Sequence, residues 1–157
     1  MENLRVFLVD DPPLMRMALR RILESDQRFV VVGESDTAEE CLTGMNTIAT
    51  DLVVMDIQLP GIDGVEATRR LKSQHPELKV VIISAYDEEY LIPSIDAGAD
   101  GYLVFSGCAF PECARVIDHL GGDHALPGFT GTRGVGGYRV ADIGRRGAVF
   151  PPQVIVF

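Results

Sequence analysis

Two short apolar runs that each end directly in aspartate constrain the fold of this 157-residue chain more than any other feature. Leu52–Met55 runs into Asp56. Val6–Val9 likewise runs into Asp10 and Asp11. Runs of this length, bounded by charged or turn residues, indicate strands that are buried on both faces. An acid at the end of such a strand lies at the carboxyl edge of a parallel sheet, where open α/β folds bind their ligands.

If these two strands are neighbours, three carboxylates meet in one crevice. Like charges placed together repel one another and raise one another's pKa, unless a cation joins them. The sequence therefore predicts a site for a divalent metal formed by Asp10, Asp11 and Asp56. The simpler alternative is that Asp10 and Asp11 cap the following helix and that Asp56 is a solvated turn residue.

Strand-like and helix-like patterns alternate along most of the chain. Short apolar runs are separated by stretches that carry apolar residues at helical spacing. Five such β-α units predict a doubly wound α/β domain, with a five-stranded parallel sheet and helices on both faces. The predicted strands are Val6–Val9, Phe29–Val32, Leu52–Met55, Val80–Ile83 and Tyr102–Val104. The spacing of Thr37 and Glu40 predicts a capping box at the start of the second helix. The last helix is predicted at Pro111–Leu120.

Composition excludes several classes of protein. The formal net charge of −9 argues against a nucleic-acid-binding surface, which needs clustered lysine and arginine. The three cysteines are odd in number and lack the spacing of a disulfide framework, so we expect a reduced, cytoplasmic protein. No apolar run approaches the roughly 18 residues of a membrane helix, and no signal-like segment begins the chain, so we expect no membrane contact.

Four motifs, in order along the chain, resemble those of one bacterial signalling family. They are Asp10-Asp11, Asp56–Gly64, Ile83-Ser84-Ala85 and Gly98–Leu103. Together they resemble the response-regulator receiver domain, and most of all the LuxR/NarL-type subfamily, whose receivers precede a helix-turn-helix module. The resemblance covers roughly residues 4–120 and implies the CheY-like, flavodoxin-like strand order 2-1-3-4-5.

The resemblance implies a role for each acid. Asp56 would be the phosphoacceptor, taking a phosphoryl group from a sensor histidine kinase. Asp11 would bind Mg²⁺ directly, and Asp10 would hold its water shell. The backbone carbonyl of Gln58 would complete the protein ligands of this cofactor. We expect such a domain to be a signalling protein and not an enzyme.

The resemblance also implies a conformational response to the phosphoryl group. Ser84 would hydrogen-bond a phosphoryl oxygen, and Ala85 would leave room for that movement. Tyr102 would be the aromatic residue that swings inward. Without the resemblance, a serine at the end of a strand is more often a turn residue. A tyrosine within a strand is more often a residue of the hydrophobic core.

One position departs from the family pattern. Receivers carry a lysine three residues after the switch aromatic, whereas this chain has Phe105 there and no lysine after Lys79. An ammonium bonded to a phosphoryl oxygen contributes roughly 1.5–3 kcal/mol. Its loss keeps a second hypothesis open, a degenerate pseudo-receiver that binds partners through its helical faces without phosphorylation. A third, a phosphatase with an aspartyl intermediate, requires Asp-x-Asp after the first strand, where Pro12 and Pro13 follow here.

Residues 1–120 are predicted to form the receiver domain, and residues 121–157 a Gly-rich tail or linker without an output domain. Nine glycines among residues 121–147, without apolar periodicity, indicate a flexible loop. Truncation, a reading-frame change and a cloned fragment are the alternatives for such an end. We expect no direct nucleic-acid binding by this chain, and a weak homodimer through a helical face that buries less than about 1,200 Å².

Overall fold

The computed structural model describes residues 3–84, 89–104, 132–135, 138–142 and 153–156. Strands and helices alternate through its first part, as the sequence predicts. The strands there are β1 (Leu4–Val9), β2 (Phe29–Ser35), β3 (Leu52–Asp56), β4 (Lys79–Ser84) and β5 (Gly101–Val104). The helices are α1 (Pro13–Glu24), α2 (Ala38–Gly44), α3 (Gly64–Gln74) and α4 (Leu91–Asp96).

These five strands pair in parallel in the order β2-β1-β3-β4-β5, so the predicted doubly wound sheet is confirmed. β1 and β3 are neighbours, with Val9 opposite Met55. In the next pair, Asp56 stands opposite Ile83, one residue before Ser84. The carboxyl ends of three adjacent strands therefore meet at one edge of the sheet.

Alternate residues of the central strands β1, β3 and β4 supply two hydrophobic clusters. In β1, Phe7 and Val9 belong to one cluster, whereas Val6 and Leu8 belong to the other. Successive side chains of a strand point to opposite faces, so the clusters lie on the two sides of the sheet. Burial on both sides explains why the central strands are continuously apolar in sequence, as is typical of parallel sheets.

An ion pair holds the amino ends of β1 and β3 together. The Arg5 guanidinium donates to both carboxylate oxygens of Asp51, from Nη2 to Oδ1 at 2.7 Å and from Nε to Oδ2 at 2.9 Å. The side-chain hydrogen bonds from Arg5 hold the pKa of Asp51 below its usual value. Because both side chains are partly exposed, the pair contributes about 1 kcal/mol or less to stability. The pair lies where β1 and β3 begin, at the edge of the sheet opposite to the acids.

Local sequence signals set where the helices begin. Pro13 is the first residue of α1, where a missing N–H costs no hydrogen bond. Thr37 caps α2, as predicted, because its hydroxyl accepts from the Glu40 N–H at 3.3 Å. Asp63 caps α3 by accepting from the Glu66 N–H at 2.8 Å. In the part of the chain that the structure describes, every helix is too short or too polar to cross a lipid bilayer.

The Gly-rich tail contains three further strands, β6 (Thr132–Val135), β7 (Tyr138–Asp142) and β8 (Gln153–Val156). β8 pairs antiparallel with β5, and β7 and β6 follow outward, which gives an eight-stranded sheet. The prediction of a flexible loop over residues 121–147 is therefore wrong at β6 and β7. The β-branched run Val154–Val156 favours a strand, and β5 offers it a sheet edge. The predicted last helix, Pro111–Leu120, lies outside the described residues.

Gly64, the first residue of α3, allows this helix to begin directly against β3. A Cβ atom at position 64 would overlap the backbone carbonyl oxygen of Asp56. We therefore expect Gly64→Ala to lower the free energy of unfolding by about 1–3 kcal/mol, because the helix or the strand must move. Urea denaturation measures this change.

Gly44→Ala in α2 is the matched control. Its Cβ atom would meet side-chain carbons of Phe7 and Ile48 at 3.5 Å, which is ordinary van der Waals contact. Alanine favours helix over glycine by about 0.5–1 kcal/mol, so this variant should be neutral or slightly more stable. Equal losses of stability in the two variants would contradict the close approach of α3 to Asp56.

Candidate functional site at the carboxyl edge of the sheet

Three carboxylates lie at the carboxyl edge of the sheet. Asp10 and Asp11 follow β1 directly, and Asp56 is the last residue of β3. Because Val9 stands opposite Met55, Asp10 and Asp56 occupy equivalent positions on neighbouring strands. Asp10 is only 5% exposed, Asp56 is half-buried and Asp11 is exposed. The structure thus brings together the acids that the sequence singles out.

Burial and mutual repulsion disturb the protonation of Asp10. Its pKa rises to about 7, first because burial penalises the charged form and then because of the negative charge of Asp56. Asp11 raises this pKa further, whereas the positive charge of Arg16 lowers it. Burial and the neighbouring charges therefore favour the protonated form of Asp10 unless a cation joins the cluster.

Burial also raises the pKa of Asp56. Backbone N–H groups of Gln58 and Ile57 oppose that rise by bonding the charged form, and Asp11 adds to it. The Gln58 N–H donates to Oδ1 of Asp56 at a nitrogen–oxygen distance of 3.4 Å. The result is a partly desolvated carboxylate whose orientation is set by the chain that immediately follows β3.

The donors at this edge fit Mg²⁺. Among the described residues, no three His, Cys, Asp or Glu side chains are grouped closely enough to hold a metal ion by themselves. This is compatible with Mg²⁺, which uses one or two carboxylates and keeps several waters. A backbone carbonyl, such as that of Gln58, would be a further ligand of the kind that Mg²⁺ accepts. The raised pKa of Asp10 is the second reason for the fit, because a cation relieves the repulsion that contributes to it.

Arg16, one turn into α1, braces the loop that carries two of the acids. Its Nη1 donates to the backbone carbonyl of Asp10 and, at 2.9 Å, to that of Asp11. Arg16 was not among the predicted site residues. A cation one turn into the helix that follows two acids is the only sequence signal for this contact, and it is a weak one.

Ser84 and Tyr102 form a buried pair beside the acids. Ser84 ends β4 and is 1% exposed, and Tyr102 in β5 is fully buried. Burial raises the pKa of Tyr102, while hydrogen bonds from the Ser84 side chain and the Tyr90 backbone oppose that rise. Tyr102 therefore lies in the core and is linked to Ser84, and the inward swing on phosphorylation stays a prediction. Ala85 and Phe105 lie outside the described residues.

Glu39, in the first turn of α2, contacts the loop between β3 and α3. Its Oε1 accepts a hydrogen bond from the Ile62 N–H at 3.1 Å. The neighbouring Gly61 has a φ of +81° and lies so close to this carboxylate that a Cβ atom there would clash with it. Glu39 was not among the predicted site residues either. No local pattern indicates the contact, because 23 positions of sequence separate its partners.

The response regulator receiver domain family matches residues 6–104 of this chain. That range contains all of the predicted site residues, which are Asp10, Asp11, Asp56, Gln58, Ser84 and Tyr102. It ends with β5, so the match covers the five-stranded parallel sheet and stops before the Gly-rich tail.

Curated relatives show the same similarity. Response regulator GacA of Pseudomonas viridiflava is 37% identical over 115 residues, which span 73% of this chain and 53% of that protein. Response regulator UvrY of Escherichia coli K12 is 40% identical over 115 residues, which span 73% of this chain and 52% of that protein. This chain therefore spans about half the length of the curated relatives that it matches.

Solved structures share the fold. A LuxR-family two-component response regulator from Aurantimonas sp. SI85-9A1 aligns with a TM-score of 0.71 at 31% identity, covering 76% of this chain and 85% of that one. The receiver domain of the response regulator NarL from Mycobacterium tuberculosis aligns with a TM-score of 0.68 at 28% identity, covering 76% of this chain and 98% of that one. By sequence family, relatives and fold, this chain belongs to the response regulator receiver domains, in their LuxR/NarL-type branch.

Proposed function

We propose that this receiver is a phosphoacceptor, in which Asp56 takes a phosphoryl group from the phosphohistidine of a sensor histidine kinase in a Mg²⁺-dependent reaction. The observation that carries the proposal is the meeting of Asp10, Asp11 and Asp56 at the ends of β1 and β3, with mutual repulsion among them. In this proposal the domain is the partner that receives the signal, and it is not an enzyme.

The transfer makes one bond and breaks one. A carboxylate oxygen of Asp56 attacks phosphorus, and the bond between phosphorus and the imidazole nitrogen breaks. The electron pair leaves with the imidazole, and an acyl phosphate remains on Asp56. The Gln58 N–H orients the carboxylate before the attack, since it already bonds Oδ1.

Mg²⁺, when bound, supplies positive charge that offsets the negative charge of the phosphoryl oxygens. Asp11 would hold it directly, Asp10 would hold its water shell, and the Gln58 backbone carbonyl would complete the protein ligands. Arg16 contributes by fixing the backbone of the first two acids. The positions of Asp10 and Asp56 on neighbouring strands support these roles.

Ser84 links the phosphoryl group to the last parallel strand in this proposal. A hydroxyl has one hydrogen to donate, and in this structure the Ser84 side chain bonds Tyr102. If Ser84 donates its hydrogen to a phosphoryl oxygen, the Tyr102 hydroxyl has to be the donor in the contact between the two side chains. The surroundings of Tyr102 would therefore report phosphorylation.

The wider role follows from the relatives and is proposed here for this chain. GacA and UvrY are response regulators, and we propose that the signal taken up at Asp56 normally controls transcription through an attached DNA-binding domain. The net charge of −9 supports a role for this chain without direct nucleic-acid contact. We also propose that it acts in the cytoplasm and away from the membrane.

Acetyl phosphate with Mg²⁺, followed by intact-mass spectrometry, tests phosphorylation. The unmodified protein should gain one phosphoryl group, EDTA should prevent the gain, and Asp56→Asn should abolish it. Phe105→Lys should raise the yield by up to roughly tenfold, because recovering about 1.4 kcal/mol of contact with the phosphoryl group corresponds to that factor.

The competing hypothesis, a pseudo-receiver that binds partners without phosphorylation, makes the opposite prediction. No phosphoryl group on the unmodified protein, together with no gain and a lower Tm for Phe105→Lys, would favour it. In that case position 105 is a packing position that does not tolerate a charge.

The pKa of Asp10 predicts how stability depends on pH without Mg²⁺. The folded form binds this proton more tightly than the unfolded form, so Asp10 costs stability as pH rises from about 4 to about 7. Asp10→Asn should therefore melt higher than the unmodified protein at pH 8 in EDTA, by about 2–4 °C for each kcal/mol recovered. At pH 4 the two proteins should melt alike, and saturating Mg²⁺ should narrow the difference at pH 8. Equal Tm values at pH 8 in EDTA would count against the buried acidic cluster.

A weak homodimer through a helical face is the last part of the proposal. Leu14 and Met17 support it, because these apolar side chains of α1 are 78% and 58% exposed. Changing both residues to glutamine should weaken self-association by about tenfold, measured by sedimentation equilibrium. Ile92→Gln on α4, where the side chain is 56% exposed, is the control and should leave self-association unchanged. A strict monomer at high concentration, with and without phosphodonor, would exclude the homodimer.

A further inference from the structure

The loop between β3 and α3 carries two groups on which the acidic site depends. Gln58 contributes its backbone carbonyl toward the metal in the proposed function, and its N–H donates to Oδ1 of Asp56 at 3.4 Å. The loop is closed at its base by hydrogen bonds to the Ile57 carbonyl from the Leu59 N–H, at 3.1 Å, and the Gly64 N–H, at 2.9 Å. These bonds do not involve the far side of the loop, around Gly61 and Ile62.

Glu39 is the partner of that far side. Its Oε1 accepts from the Ile62 N–H at 3.1 Å, and its carboxylate rests against Gly61. The φ of +81° at Gly61 favours glycine, and a Cβ atom there would displace the Glu39 carboxylate from its place against the loop.

The position of α2, which carries Glu39, is fixed by packing in the core. Ala38 and Cys41, which flank Glu39 in the helix, are fully buried in the core. Thr37 caps the first turn through the Glu40 N–H. The side chain of Glu39 therefore reaches the loop from a helix whose position is set by packing.

We propose that Glu39 is a positioning residue for phosphoryl transfer, which holds the Gly61–Ile62 side of the β3–α3 loop so that Gln58 presents its carbonyl to Mg²⁺ and its N–H to Asp56. This inference rests on the proposed function of the acidic site. Glu39 touches neither the metal nor the phosphoryl group, and it acts only through the loop.

Three variants of the full chain separate the hydrogen bond from the charge. Glu39→Ala removes the acceptor and the charge, whereas Glu39→Gln removes the charge and keeps a carbonyl acceptor. Glu40→Ala removes an equal charge from the next position of the same helix turn, and its N–H bond to Thr37 is made by the backbone and remains. Each variant is compared with the unmodified protein for Mg²⁺ affinity, by NMR titration of the Asp11 and Gln58 amides, and for amide hydrogen exchange at Ile62.

Glu39→Ala should bind Mg²⁺ about three- to tenfold more weakly, equivalent to about 0.7–1.4 kcal/mol, and should exchange the Ile62 amide faster. Glu39→Gln and Glu40→Ala should stay within about twofold of the unmodified protein. The rate of phosphorylation by acetyl phosphate should follow the same order. Because Glu39 is exposed, the Tm should change little in all three variants, so lower affinity does not reflect general unfolding.

Other outcomes overturn the inference. Unchanged Mg²⁺ affinity in Glu39→Ala would show that Glu39 does not position the loop. If the unmodified protein is still phosphorylated in that case, the proposed function stands without this role for Glu39. Equal weakening in Glu39→Ala and Glu40→Ala, or no rescue by Glu39→Gln, would assign the effect to charge and not to the hydrogen bond. Failure of the unmodified protein to bind Mg²⁺ would remove the proposed function and the role of Glu39 with it.

Discussion

The parallel pairing of β1 with β3 is the constraint on which the acidic site depends. It sets Val9 opposite Met55, and the next residue of each strand is an acid. The pairing is held at one end by the Arg5–Asp51 contacts and along its length by side chains buried on both faces of the sheet. The hydrophobic core thus forces carboxylates together that would otherwise separate in water.

Of the three acids, Asp10 has the pKa that this arrangement raises most. It is the most buried of the three acids, and its pKa of about 7 reflects burial first and the charge of Asp56 second. Arg16 offsets part of this rise through its positive charge and also fixes the backbone of the loop. A divalent cation would relieve the repulsion among these acids, and this connects the packing of the sheet to the metal-dependent function proposed for the site.

The parts of the molecule that are encoded locally could be predicted from the sequence. The buried strands appear as short apolar runs, so Asp10 and Asp56 could be placed at strand ends, and Thr37 could be identified as a cap from its spacing to Glu40. Arg16 and Glu39 could not be found in this way. Their contacts depend on how a helix lies against a loop, and a charged residue on a helix is ordinarily only a solvated side chain.

The tail shows a different limit of sequence patterns. The glycines of residues 121–147 suggest a loop, yet β6 and β7 form there. They continue a sheet edge that β8, a β-branched run, extends from β5. The availability of that edge is a property of the sheet and not of the tail. The strands β1 to β5, by contrast, are each marked by an apolar run of their own, so the order of these elements could be predicted from the sequence.

An NMR titration of the side-chain carboxyl groups tests this account most directly. Without Mg²⁺, Asp10 should titrate near pH 7, and Asp56→Asn should lower that pKa because the charge of Asp56 contributes to it. Saturating Mg²⁺ should keep Asp10 ionised to lower pH. If Asp10 instead titrates near its ordinary value of 3.8, unaffected by Asp56→Asn and by Mg²⁺, the claim that β1 and β3 bring these acids into one electrostatic cluster is contradicted.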